Sequence, residues 1–408
     1  MSPLAQPKVR PLISEWVQAN GDLRLALRDP DELIEGTVFV TPALAPVLEL
    51  CDGTHSLADI QAALTVRYGL SLPTATLESL IQQLDDALLL ESDRAETVRH
   101  DARESYRSAP CRPPALAGAS YPSDPDELTS MLAGFVNAVE PPSGPDQSAV
   151  WGIVSPHIDY DRGGPVYART WQHAQAAARV AEVVVIFGTD HAGSPGMLTP
   201  TRQDYATPWG TLPTDHDALD HFEAAWGDET LYDEELHHRR EHSIELAAVW
   251  LHFMREGEPV ALVPILCGSF LPFTAGDAHP QDWPQLAGSI AALNDALAGK
   301  RVLVVAAADL AHMGPAFGDP KPLEKSEKEE LEGFDRELLD AMCKGDAEGF
   351  LGLLQESKDK QKVCGLPPIY AALQMLGPVS GRVLDYVQCP ADGLAGSVVS
   401  VAGVAWTD

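Results

Sequence analysis

Residues 183–193 read VVVIFGTDHAG. Five apolar residues in a row, four of them β-branched and none alternating with a polar one, predict a strand buried on both faces. The polar cluster Gly188-Thr189-Asp190-His191 falls just past its carboxyl end. The same arrangement recurs along the chain. AVWGIVS (149–155) runs into Pro156-His157-Ile158-Asp159-Tyr160, and VLVVAAA (302–308) runs into Asp309-Leu310-Ala311-His312. VALVPIL (260–266) ends in Cys267-Gly268-Ser269 without a histidine, and VLDYV (383–387) and SVVSVAGVAW (397–406) complete the set. Amphipathic stretches separate these runs, and no longer repeat is visible. The pattern predicts an α/β domain built around a buried sheet.

In open α/β sheets, ligands gather beyond the carboxyl ends of the strands. That singles out His157, His191 and His312, with Asp309 beside the last. One histidine after a strand is ordinarily a loop residue with a local hydrogen bond. Three on one rim point to a shared site. REHSIELAAVW (240–250) opens a further helix with His242 at its start, where His and Glu also serve to satisfy free backbone groups. Cys364 precedes Gly365-Leu366-Pro367-Pro368 and the apolar run IYAALQML (369–376). A helix N-terminus there favours its thiolate, as nucleophile or metal ligand. Cysteines 51, 111, 267, 343 and 389 lack such surroundings and read as packing, and no Cys-x-x-Cys pair suggests a zinc ribbon or disulfide framework.

The chain has 408 residues, enough for two or three domains. Its 60 acidic against 28 basic residues leave a formal charge of −32, with no basic stripe. Nucleic acid and anionic membrane surfaces are therefore poor partners. No apolar run reaches the roughly 18 residues of a spanning helix, and MSPLAQPKVR is no secretory signal, so a cytoplasmic location is expected. Residues 1–92 read as a separate unit. LRLAL (23–27) and GTVFVT (36–41) predict a hairpin, followed by helices over Ala43–Cys51, from Ser56 to Tyr68, and from Thr74 onward. That is the content of a small winged-helix α+β domain. Residues 93–115, mixed in charge and rich in proline near the end, read as a linker, and 116–408 as the α/β domain.

Taken in order, AGASYPSDPDEL (117–128), SPHIDY, GTDHAG, REHSIELAAVW, DLAHMG and VCGLPPI resemble the Memo family, relatives of the class III extradiol ring-cleaving dioxygenases. The resemblance implies an extradiol dioxygenase-like α/β fold and a divalent metal held by His157, His191 and Cys364. It implies an acid/base role for His312. Asp309, His242 and Asp190 would then orient the ligand imidazoles through their second ring nitrogens. Extradiol enzymes hold Fe(II) with two histidines and a carboxylate. Here Cys364 stands in the carboxylate's place, a departure that leaves Fe(II) the leading metal and admits Cu or Zn. The stretch VTPALAPVLELCDGTHSLADIQAALTVRYG (40–69), with LLLES after it, resembles the PqqD-like domains, in which a leader peptide adds as a strand at a sheet edge. The resemblance further implies radical SAM and AMMECR1-like partners, as in the three-part AmmeMemoRadiSam systems. Three readings stand: a metal-dependent oxidoreductase acting on a peptide or small molecule, a non-catalytic metal- and peptide-binding adaptor, and a hydrolase pairing Cys364 with His191.

Overall fold

The computed structural model describes residues 3–19, 21–141, 149–227 and 229–407. The chain divides into two compact units, one ending at Ala109 and the other beginning at Pro110.

In the first unit β1 (Ile13–Ala19), β2 (Asp22–Arg28) and β3 (Thr37–Val40) form an antiparallel sheet in that order. The expected hairpin is β2–β3, with Leu25 opposite Val40. Strand β1 was not anticipated: its residues are mostly exposed, so no buried face imposes the two-residue period that betrays a strand. Helices α1 (Ala45–Leu50), α2 (Leu57–Tyr68) and α3 (Thr74–Asp86) follow. Ser56 and Asp59 close a full capping box on α2, and Gly69 ends it at φ 67°, a left-handed conformation that glycine adopts without strain. The linker reading of 93–115 is corrected. Asp93–Ser108 is a helix, α4, capped by the Ser92 side chain and belonging to the first unit. Only Ala95 and Tyr106 of it are buried, so it lacks an apolar stripe. Ion pairs of Arg99 with Asp31 at 3.2 Å and with Glu96 at 2.7 Å hold it instead.

The second unit runs α5 (Pro125–Ala138), β4 (Gly152–Ser155), α6 (Tyr160–Val180), β5 (Val183–Thr189), β6 (Leu198–Pro200), β7 (Tyr205–Thr207), β8 (Gly210–Leu212), α7 (His216–Trp226), α8 (Ser243–Met254) and β9 (Ala261–Cys267). It continues with α9 (Leu271–Thr274), α10 (Pro284–Ala296), β10 (Val302–Ala307), β11 (His312–Met313), α11 (Lys325–Cys343), α12 (Ala347–Ser357), α13 (Leu366–Leu376), β12 (Ser380–Pro390) and β13 (Val398–Thr407). The eight-stranded sheet has the order β11-β13-β4-β10-β5-β9-β6, with β12 on β13. Its centre, β4-β10-β5-β9, is parallel, and β13 and β6 flank it antiparallel. The domain is thus α/β with a mixed sheet.

Both faces of that sheet are covered. Val183, Val185 and Phe187 enter one core cluster and Val184 and Ile186 the other, each no more than 2% exposed. This two-sided burial explains the uninterrupted apolar run. Among the described residues, no helix is long and apolar enough to cross a membrane.

One core carboxylate sets up a measurable pH dependence. Asp335 on α11 is fully buried, and its Oδ2 accepts the Tyr386 hydroxyl at 2.7 Å. Burial pushes its carboxyl up to about 6. The folded state therefore holds this proton more tightly than the unfolded chain, and that stabilisation is lost as pH rises from near 4 through 6. Asp335→Asn keeps the neutral form at every pH. Wild type is expected to lose about 2 kcal/mol relative to the variant between pH 4 and pH 7, read from urea unfolding of both proteins.

Candidate metal centre

The parallel strands β4, β10 and β5 are neighbours, so the residues just past their carboxyl ends share one rim. His157 follows β4, Asp309 follows β10 and His191 follows β5. Two glycines let other elements close onto this rim. A Cβ at Gly188 would lie 2.5 Å from Ile244 Cγ1 and 2.6 Å from Ser243 Oγ, so only glycine admits the start of α8, where His242 is the N-cap residue. A Cβ at Gly365 would lie 2.3 Å from the Asp309 carbonyl oxygen, so Cys364, next to it, can approach as well.

The rings of His157, His191 and His242 meet there, with ligand nitrogens all within 4.8 Å of one another. His157 is perpendicular to both others at centroid distances of 5.1 and 5.3 Å, while His191 and His242 stack at 4.9 Å and 12°. The Cys364 sulfur lies 3.3 Å from His157 Nε2. His312 lines one cavity together with His157, His191, His242 and Asp309, and its Nδ1 faces the Leu310 carbonyl at 3.2 Å. The six residues singled out in the sequence therefore converge, but their partners differ from expectation. His157 Nδ1 is 3.0 Å from the Ala307 carbonyl, which sets its tautomer. Asp309 accepts the His157 backbone N–H at 2.9 Å, and its other oxygen stands 3.7 Å from Nε2. Asp190 accepts His237 Nδ1 at 2.8 Å and does not orient His191. His242 joins the donor cluster itself, so it is not an orienting residue.

The orienting carboxylate is Glu241, which sequence reasoning passed over. Its Oε2 receives His191 Nδ1 at 3.0 Å and its Oε1 receives His242 Nδ1 at 3.0 Å, while the same oxygens accept the backbone N–H groups of both residues. One buried carboxylate thus leaves Nε2 of two imidazoles for a ligand, the arrangement that raises donor basicity in metal sites. The signal was present as an acid directly before His242 at a helix start.

The charges are coupled. Burial alone would raise the Cys364 thiol, but His157, His312 and hydrogen bonds from His157 and His191 outweigh it and hold the thiol well below its usual range. Burial opposes the His157 cation, yet Asp309 and the Cys364 thiolate push that imidazole up to about 9. Burial likewise opposes the Glu241 anion, and His191 and His242 bring its carboxyl well below the usual range. A thiolate and three or four imidazoles form a donor set that fits Fe(II), Cu or Zn(II). With Cys364 Sγ and His157 Nε2 3.3 Å apart, a metal held by both would compete with a proton between them. Glu241→Gln is expected to weaken metal binding about 10–100-fold with the fold retained, measured by competition with a chelator.

Fold and geometry define an α/β protein with a histidine–cysteine candidate metal centre at the carboxyl edge of its sheet. The family model for Memo-like proteins matches residues 112–405, and the chain belongs to the Memo family. It is 26% identical over 395 residues to a MEMO1 family protein of Aquifex aeolicus, covering 95% of this chain and 97% of that one. A MEMO1 family protein of Methanosarcina acetivorans is 29% identical over 297 residues, 72% of this chain and 97% of its own. One from Thermus thermophilus is 28% identical over 332 residues, 81% and 93% of the two chains.

Proposed function

We propose that this Memo family protein is a metal-dependent oxidoreductase related to the extradiol dioxygenases, with Fe(II) as its metal, acting on a peptide or small molecule. The observation that carries the reading is the cluster of His157, His191 and His242 nitrogens within 4.8 Å of one another, with the Cys364 sulfur 3.3 Å from His157 Nε2 and Glu241 fixing two of the rings. Three donors from the protein leave coordination positions for substrate and oxygen. Bound iron supplies redox chemistry and Lewis acidity; the protein does the rest. His157, His191 and Cys364 hold the metal in this reading, and His242 either completes the set or borders the open position. With its Nδ1 on the Leu310 carbonyl, His312 presents Nε2 to the cavity as the atom that gives or takes a proton.

The first unit, in this reading, is a PqqD-like winged helix that delivers the peptide by pairing it with a free sheet edge, and radical SAM and AMMECR1-like proteins are its partners in the cytoplasm. Its three-stranded order leaves β1 and β3 as edges of that sheet among the described residues. Metal analysis of anaerobically purified protein, followed by oxygen uptake with the Fe(II)-loaded chain, tests the proposal. Iron at one per chain and oxygen uptake abolished in His157→Ala support it. Stoichiometric metal with no oxygen uptake for any peptide or phenolic substrate overturns the oxidoreductase and leaves the adaptor.

A further inference from the structure

Two cavities open onto the centre. The larger, about 650 Å³, is lined by His157, His242, His312 and Asp309, with Arg162 and Arg240 among its other polar groups. The smaller, about 360 Å³, has Phe270, Val363, Leu366 and Pro367 as its apolar wall, with Asp190, Asp359 and Lys362 among its polar groups. His191 lines both, whereas Cys364 lines only the smaller. The His191–Cys364 pair is therefore the partition, and whatever enters the smaller cavity meets the thiolate side of the donor set.

Phe270, Val363 and Leu366 are each no more than 3% exposed, so this wall is already part of the core and rigidly packed. At the mouth, on the short helix α9, Leu271 is 67% exposed, an apolar residue beside an apolar hollow. The charged groups nearby already have partners. Lys362 Nζ sits 2.6 Å from Asp319, Asp190 holds His237, and Asp359 accepts the Val363 N–H at 2.9 Å. A neutral ligand leaves these pairings in place, whereas an ionic one loses its own hydration on entering, and Lys362 is already paired. The volume lies within the range of pockets that bind small organic groups, and the lining, mostly apolar with a few convergent polar atoms, has their usual composition.

We propose that the smaller cavity is a binding site for an uncharged aromatic or branched aliphatic group, seated against the Cys364 face of the centre, and that this group belongs to the substrate. The word substrate rests on the oxidoreductase reading above; the binding does not. Such a group is either part of a free small molecule or the side chain of a peptide, and the two sources differ in what must follow the ring through the mouth.

The test uses the full chain, metal-free and Fe(II)-loaded in parallel, with indole as neutral probe, indole-3-acetate and tryptamine as charged probes of the same shape, and N-acetyltryptophanamide as peptide-like probe. Binding is read by calorimetry and by protein chemical shifts. Indole is expected to bind both forms, with the two charged probes at least tenfold weaker. Ser269→Trp, which plugs the mouth from an exposed position, and Leu271→Asp are each expected to weaken indole tenfold or more with metal content and circular dichroism unchanged. Tighter binding of N-acetyltryptophanamide than of indole supports a peptide side chain, and weaker binding supports a free small molecule. Charged probes binding as tightly as indole, indole binding indifferent to both substitutions, or no indole binding up to its solubility each overturn the site. Because the metal-free arm reads the cavity alone, a chain that takes up no iron sinks the oxidoreductase reading while leaving the cavity result intact.

Discussion

Cys364→Ser is expected to leave the fold in place and to lower metal affinity by on the order of 10² or more, beyond the 10–100-fold cost typical of losing a partner outside the ligand set. The sulfur is the softest donor at the rim and, held as thiolate beside His157 at 3.3 Å, the one that brings a negative charge to the metal. A hydroxyl of similar volume supplies neither property. His312→Ala is expected to behave in the opposite way: metal retained, and oxygen-dependent turnover reduced roughly 10²–10⁴-fold. Metal per chain after gel filtration, with chelator competition, separates these cases. The geometry also offers a three-histidine set, since His242 stacks on His191 within the donor cluster. Full metal in Cys364→Ser together with loss in His242→Ala would establish that set, suited to zinc or copper, and would remove the main support for dioxygenase-like chemistry.

Glu245→Ala is expected to cost about 3–5 kcal/mol, the cost of leaving a buried partner charge uncompensated. Glu245 is 1% exposed and pairs with Arg112, which is fully buried. It also accepts the Ala115 and Leu116 backbone N–H groups at 2.9 and 2.8 Å and the Tyr121 hydroxyl at 2.5 Å. One carboxylate therefore ties the first residues of the second unit to α8. Urea unfolding of the variant should show the loss, and Glu245→Gln should recover part of it by keeping acceptor oxygen. The stretch REHSIE thus carries two carboxylates with separate tasks, Glu241 aligning imidazoles and Glu245 anchoring the chain. Four residues apart on one helix start, they reach the rim and the interior from the same element.

The strand-then-histidine pattern was legible because parallel strands buried on both faces must be apolar throughout, which makes their ends visible as the first polar residues. His157, His191 and Asp309 could be read that way. Helix α4 could not, because its stability comes from ion pairs such as Arg99–Asp31 between residues 68 positions apart, which leave no periodic trace. The same limit hid β1, whose register with β2 is specified by backbone pairing and scarcely by burial.

By itself the amino-acid order determined the α/β class of the second unit and the rim on which its polar residues collect, because burial and helix or strand period act locally along the chain. Only the tertiary structure decided the partners. Glu241, and not Asp190 or Asp309, orients two imidazoles; the Ala307 carbonyl, from a different strand, sets the His157 tautomer; and His242 comes to stack on His191. Hydrogen bonds and ion pairs act over about 3 Å between atoms whose residues lie 50 to 150 positions apart, so their pairing exists only once the sheet order and the close approaches at Gly188 and Gly365 have been made.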